Sequence, residues 1–305
     1  MRFYVLVSYN SASFKRTLVG LPKDKTQVVI NTLGDAQELI LMCEYMRVPY
    51  VVTESDGTPA TGKNSMMEVF LKSDDDYGVF IDSGDILTPT GVEYYTKLER
   101  RPKPPDLVVL YKQIEIMGEI DIDRLSPNML ASQFPKEWSV RYPYDKSVDD
   151  VYKLSEKQLY EWMCFQADRV GDDDEIRVHS KERKIFHDFM NEFSEEYEYM
   201  TRMVFISRKA AEYIDYDNSL MIGEDTVQYL KLKKLALEGH LRAFKKRDGL
   251  GVSPTYLQVF DGGSITNRRR TTWDWCIPLN RKLEEMQYQG EMPTPNVNIP
   301  DVENA

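Results

Sequence analysis

The chain has 305 residues, 42% of them hydrophobic and 29% charged, which excludes a disordered or fibrous polypeptide and leaves enough apolar surface for a substantial core. No run of about 18 apolar residues occurs, which excludes a conventional spanning helix, and residues 2–7 enter a strand pattern too early for a secretory leader, so a cytoplasmic location is expected. The net charge of -11 excludes a surface that grips a polyanion everywhere but leaves room for a local basic groove, because Lys231, Lys233, Lys234, Arg242, Lys245, Lys246, Arg247 and Arg268-Arg269-Arg270 gather the cations in the last third.

Residues 3–8 read as a buried strand that Tyr9-Asn10-Ser11 ends with turn-forming side chains. Val28-Val29-Ile30 is a second strand, residues 36–46 carry apolar side chains at helical spacing through Leu39, Ile40 and Cys43, and residues 49–53 open a third strand. Gly62-Lys63-Asn64 is expected to precede a helix over residues 65–72, and the strand at 77–81 runs straight into Asp82-Ser83-Gly84-Asp85. Short apolar strands alternating with helices predict an α/β fold: a Rossmann-like, mostly parallel sheet with helices on both faces.

Pro102, Pro104 and Pro105 interrupt the alternation, and a strand at 107–111 follows them. Residues 121–199 are mostly helical in pattern and highly charged, an expected insertion whose better amphipathic stretches are 155–169 and 181–193. The α/β pattern resumes with a strand at 202–207, a helix at 209–214 and a long helix at 226–238 that Gly239 closes. The tail from Glu291, with Pro293, Pro295 and Pro300, reads as an extended, loose end. Cys43, Cys164 and Cys276 are far apart and form no CxxC pair, so neither a disulfide framework nor a thiolate zinc site is expected.

Ligands of open α/β sheets bind beyond the carboxyl ends of the strands, where loops and helix N-termini expose their donors. Asp82 and Asp85, separated by a small residue and a Gly that permits a tight turn, can bind a divalent cation and through it a diphosphate; the same residues also make an ordinary strand-to-loop turn. Asp225-Thr226-Val227-Gln228 fits a capping box with Asp225 as N-cap, a structural role that competes with work as a base. Lys63 and Asn64 are candidate donors to phosphate or base, against the plainer reading of a surface Lys and a helix-start Asn. Trp138, Tyr142, Tyr144, Tyr160 and Trp162 are either stacking platforms or core. Arg268-Arg269-Arg270 beside Trp273 and Trp275 joins cations to aromatic faces, as a nucleic-acid grip requires; the alternative is a solvated loop or a flap over a diphosphate.

The order of these motifs resembles the family 2 glycosyltransferases, which have the nucleotide-sugar-binding fold called GT-A. The resemblance runs through Tyr9-Asn10, Thr61-Gly62-Lys63-Asn64, the segment from Val79 to Pro89 that contains Asp82-Ser83-Gly84-Asp85, and Met221-Ile222-Gly223-Glu224-Asp225, and it covers residues 1–100 and 201–245. It implies Asp82 and Asp85 as ligands of Mn²⁺ or Mg²⁺, Asp225 as the catalytic base with Glu224 beside it, and Tyr9, Asn10, Asn31, Lys63, Asn64 and Asp82 around the donor. It further implies a UDP-sugar donor and inverting transfer to an acceptor hydroxyl. The chain departs from the family in having Gly84 where another Asp is usual, Asn31 where an acidic residue commonly meets the nucleobase, and no His after residue 240.

A looser likeness, to phage enzymes that glycosylate hydroxymethylated cytosines in DNA, makes DNA a candidate acceptor held by Arg268, Arg269, Arg270 and Trp273. A saccharide is the competing acceptor, with no membrane involved. The division that results is a nucleotide-sugar half at 1–100, a helical insertion at 101–200, an acceptor half at 201–247 and a basic, aromatic extension with its tail at 248–305. The rivals are a catalytically silent protein that keeps the fold and a nucleotidyltransferase, although residues 8–14 lack the Gly-rich phosphate loop expected of the latter.

Overall fold

In the computed structural model the described residues are 1–8, 11–111, 114–117, 120–136, 138–141, 197, 202–249, 251–260 and 276–302. The strands in chain order are β1 (Arg2–Val7), β2 (Thr26–Asn31), β3 (Tyr50–Thr53), β4 (Tyr77–Asp82), β5 (Ile86–Leu87), β6 (Leu107–Leu110), β7 (Ile114–Met117), β8 (Ser139–Arg141), β9 (Arg202–Ser207), β10 (Ala243–Lys246) and β11 (Tyr256–Phe260). The α-helices are α1 (Ser11–Val19), α2 (Gln37–Met46), α3 (Pro59–Lys72), α4 (Pro89–Glu99), α5 (Arg208–Ala211), α6 (Glu224–Leu237) and α7 (Cys276–Tyr288).

Seven strands form the main sheet in the order β10-β6-β9-β4-β1-β2-β3. β1 pairs in parallel with β2 and β4, β2 with β3, and β6 with β10. β9 alone runs against its neighbours β4 and β6. The fold is therefore α/β with a mostly parallel sheet, as the alternating pattern predicts.

The two-residue period of the strands sorts their side chains between two helical layers. Phe3, Val5, Val7, Val28 and Ile81 share a core with Phe14 and Leu18 of α1, Leu39 and Cys43 of α2, and Tyr95 of α4. Tyr4, Leu6, Val29 and Phe80 point the other way, into a core with Met66, Met67 and Phe70 of α3 and Tyr229 and Leu232 of α6. Burial and Glu44 push the Cys43 thiol up to about 12, so it packs as a small apolar group.

A second sheet, in the order β5-β11-β7-β8, is absent from the sequence reading. Ile86, Ile114, Ile116, Phe134, Trp138 and Leu257 form its core, which gives Trp138 the packing role of its two readings. The sheet is seated on α4: the backbone N–H of Thr88 donates to the Thr255 carbonyl at 3.1 Å, and a Cβ on Gly91 would lie 2.1 Å from that same oxygen. Only glycine permits that approach.

The helix expected from residue 65 starts at Pro59, after Thr58 caps the N–H of Thr61 at 3.2 Å, so Lys63 and Asn64 lie inside it and Lys63 is buried. The long helix begins at Glu224, with Gly223 as N-cap at φ 92° and no side-chain cap, which removes Asp225 from the capping box. Gln228 instead ties down the preceding loop, accepting from the Asp215 N–H at 3.1 Å and donating to the Tyr213 carbonyl at 2.9 Å. The helix expected at 209–214 shortens to α5.

Within the expected helical insertion, the described residues 120–136 and 138–141 include short 3₁₀ turns and β8, while 155–169 and 181–193 lie outside the described residues. The tail is docked rather than loose: the Lys245 N–H donates to the Pro300 carbonyl at 2.9 Å, and Ile299 and Val302 are each 2% exposed. Nor are the cations of 231–247 all at the surface. Lys233, Lys245 and Lys246 are buried, with Lys233 donating to the Tyr197 carbonyl and Lys246 paired with Asp248.

Candidate active site

The first half of the site follows from how β4 ends. The strand carries Asp82 to the carboxyl edge of the sheet, and the chain then turns within three residues, the Asp85 N–H donating to the Asp82 carbonyl at 3.1 Å. Gly84 sits at φ 104°, which accounts for a glycine where the resembling family has an aspartate. α1 holds the turn: Thr17 accepts from the Gly84 N–H at 2.9 Å and donates to the Asp85 carbonyl at 2.8 Å, and Arg16 donates to the Gly84 carbonyl.

Because β9 is antiparallel, its first residue arrives at the edge where β4 and β6 end, with Arg202 opposite Leu110. The Arg202 guanidinium forks across the turn, one nitrogen donating to Asp82 Oδ2 and the other to Asp85 Oδ2 at 2.8 Å. Asp85 also accepts from the Tyr256 hydroxyl at 2.7 Å and the Val259 N–H at 3.2 Å, both on β11. Burial works to raise the Asp82 carboxyl, but Arg202 and Lys63 outweigh it and the net shift is downward. At Asp85 burial prevails over Arg202 and, with Asp82 alongside, the carboxyl is raised. Arg202 and Tyr256 lie outside what sequence reasoning found.

The second half is built on α3 and α6. Gly62 lets α3 sit close against β1, since a Cβ there would lie 3.2 Å from the Leu6 methyls, and this brings Lys63 to the same edge of the sheet. Lys63 Nζ donates to Glu224 Oε1 at 2.7 Å and Asp225 Oδ2 at 2.5 Å, and lies 5.5 Å from the centre of the Tyr216 ring. Burial would lower the Lys63 ammonium, but Asp225, Glu224 and Asp82 hold it well above its ordinary value. Glu224 is raised by burial against the pull of Lys63. Asn64 secures the approach to α6, donating to the Tyr216 carbonyl at 2.9 Å and accepting from the Tyr216 N–H at 2.8 Å.

The two halves share one electrostatic field. Asp82 acts on Lys63 and on Tyr216, and Asp225 acts on Arg202. The structure thus brings together Asp82, Asp85, Lys63, Asn64, Glu224 and Asp225. Asn31 lies in the framework: it is 1% exposed, and its amide donates to Thr53 Oγ1 at 2.9 Å and the Glu54 carbonyl at 2.7 Å. Tyr9, Asn10, Arg268, Arg269, Arg270 and Trp273 lie outside the described residues, as do Tyr142, Tyr144, Tyr160 and Trp162.

A divalent cation needs several free carboxylate oxygens. Asp82 and Asp85 present theirs to Arg202, and among the described residues no group of three His, Cys, Asp or Glu side chains converges as a metal site would require. As placed, the pair does not fit Mn²⁺ or Mg²⁺ unless the guanidinium is displaced.

No protein-family model and no curated protein matches the chain. Among solved structures it is similar in arrangement to S. aureus TarS 1-349 in complex with UDP-GlcNAc, at 11% identity and a TM-score of 0.45, over 93% of this chain and 66% of that one. The same protein in complex with UDP gives 12% identity and a TM-score of 0.40, over 89% and 63%. A CMP:2-keto-3-deoxy-manno-octonic acid synthetase complexed with CTP gives 12% identity and a TM-score of 0.37, over 94% and 98%. The chain therefore spans less than two thirds of the length of these TarS chains. Among the described residues no helix is long and apolar enough to cross a membrane.

Proposed function

We propose that the chain is a nucleotide-sugar-dependent glycosyltransferase that moves a sugar, with inversion, from a UDP-sugar to an acceptor hydroxyl. The observation that carries this reading is Lys63, a buried cation that binds both acids at the start of α6 while lying within the field of Asp82 at the end of β4. It unites the two motifs on which the family resemblance rests, at the sheet edge where nucleotides bind in folds of this kind.

Of the four acids, Asp225 suits the base. Its side chain is 28% exposed, against 7% for Glu224, and one oxygen is held by Lys63 while Oδ1 has no hydrogen bond among the described residues. An acceptor hydroxyl gives its proton to Asp225 as its oxygen bonds to the anomeric carbon. The bond from that carbon to the diphosphate breaks, and nucleoside diphosphate leaves on the opposite face. Lys63 fixes the carboxylate in place, Glu224 fixes Lys63, and Asn64 fixes Tyr216 beneath them.

The test is incubation of the full chain with a panel of nucleotide sugars and three acceptors: DNA containing hydroxymethylcytosine, unmodified DNA and a set of saccharides. Mass analysis should show nucleoside diphosphate release with one hexose or pentose added to the hydroxymethyl base or to a saccharide. Release from no donor with any acceptor would overturn the proposal.

A further inference from the structure

The Asp82-to-Asp85 turn is the place where the family resemblance leads one to expect a divalent cation, and there the chain has put a guanidinium. Arg202 reaches it from 120 residues away in sequence, along the one antiparallel strand of the main sheet. Two of its nitrogens are taken by the two carboxylates, as the planar fork of an arginine allows and an ammonium does not. Its side chain is 17% exposed, and its Nε–H is buried with no hydrogen-bond partner among the described residues, as is the hydroxyl of Ser83 within the turn. Buried donors left unpaired among the described residues call for a partner.

The surroundings hold Arg202 in position. Asp85 is 6% exposed and is fixed by Tyr256 and Val259, so the second sheet locks one arm of the fork. Asp82 is 29% exposed and shares its charge between Arg202 and Lys63. A dication at these oxygens would have to displace the guanidinium and then sit beside it, with like charges at close range.

We infer that Arg202 is the site's own cation: Asp82 and Asp85 anchor its guanidinium, and it supplies at the donor diphosphate the positive charge that a divalent metal supplies elsewhere. The inference rests on the donor reading above, and it makes donor binding independent of metal. Lys63 provides the second positive charge at the same edge. The acids keep both cations oriented before any ligand arrives, so the diphosphate meets a prepared field.

The experiment has two arms on the full chain. In the first, Mn²⁺ binding is followed by electron paramagnetic resonance for the wild type and for Asp82→Asn with Asp85→Asn. The expected isotherms superimpose, and a Mn²⁺ site present in the wild type and lost in the double variant would overturn the inference. Should the double variant fail to fold, Asp82→Asn alone serves, because that carboxylate is the more exposed.

In the second arm, UDP binding is titrated with EDTA and again with Mn²⁺. Affinities should agree within about twofold, and Arg202→Lys should weaken both by about tenfold, the scale of a lost charge-assisted contact. A tenfold gain on adding Mn²⁺ would overturn the inference. Wild type that binds no UDP under either condition counts against the donor reading instead, and the first arm still decides the role of the turn.

Discussion

The Asp82-to-Asp85 turn and the Glu224-Asp225 helix start are assembled alike, yet they behave as different devices. Each pairs a half-buried acid with a deeply buried one: the side chains are 29% and 6% exposed at Asp82 and Asp85, and 28% and 7% at Asp225 and Glu224. Each pair is bridged by one largely buried base from a distant segment. The difference lies in the base. Arg202 is a rigid fork that engages the two carboxylates with separate nitrogens, whereas Lys63 is a point charge whose single nitrogen serves both. The first arrangement grips each acid with its own nitrogen, and the second leaves Asp225 Oδ1 without a hydrogen bond among the described residues, as the proposed base requires.

The largest effect that would separate the two devices is on transfer. Asp225→Asn should lower kcat/KM by about 10²- to 10⁴-fold with the fold intact, the range for removal of a general base. Glu224→Gln should lower it far less and appear mainly as lost stability. Equal losses in a sugar-transfer assay would abolish the distinction between the exposed and the buried acid.

Next comes removal of the bridging cations. Arg202→Met leaves two acids without their counter-charge and should cost about 3–5 kcal/mol in urea unfolding, as breaking a buried ion pair does. Lys63→Met should cost about 1 kcal/mol less, because Glu224 and Asp225 lie in the first turn of α6, where the helix dipole favours anions. A larger loss at Lys63 would invert the comparison.

The glycines that shape the two halves give a smaller contrast. Gly84→Ala meets φ 104° but ordinary contacts, the nearest atom being 3.7 Å from the added Cβ, and should cost about 1–2 kcal/mol. Gly223→Ala meets φ 92° and two Leu279 methyls at 2.7 Å, so its Tm should fall further.

Acid titration is the finest probe. The Asp82 carboxyl is lowered in the fold, so its contribution is present above the ordinary carboxylate value of about 4 and is lost as pH falls through the lowered value. Asp82→Asn should therefore flatten the loss of stability between about pH 5 and pH 2. Asp85 is raised, so its contribution has the opposite sign, and Asp85→Asn should steepen that loss.

Local signals made four of the six charged residues legible. Asp82, Asp85, Glu224 and Asp225 lie at a strand end and a helix start, each beside a glycine, and both patterns can be read within ten residues. Lys63 is legible as a candidate donor, but the sequence pattern puts it on the wrong side of a helix boundary. The boundary had its own signal, Thr58 followed by Pro59 at the first helical position. Arg202 has none beyond being the charged first residue of a strand whose next four residues are apolar, because its partners are set by an antiparallel topology that no short window contains.

The second sheet escaped for a related reason. β5 is two residues long, and its partner β11 lies about 170 positions away, with Tyr256 reaching Asp85 across 171. Likewise Asp225 fits a capping box in letters, but Gly223 at positive φ starts the helix two residues earlier than that pattern requires.

The docked tail has a consequence for how the sheet meets other chains. Ile299 and Val302 are three residues apart but belong to cores on opposite faces, so the segment folds over the border of β10 as a hem is turned over cloth. At the far border no described strand pairs with the outer edge of β3, where Val51 and Val52 are 40% and 48% exposed. An incoming strand would find one selvedge stitched shut and the other raw.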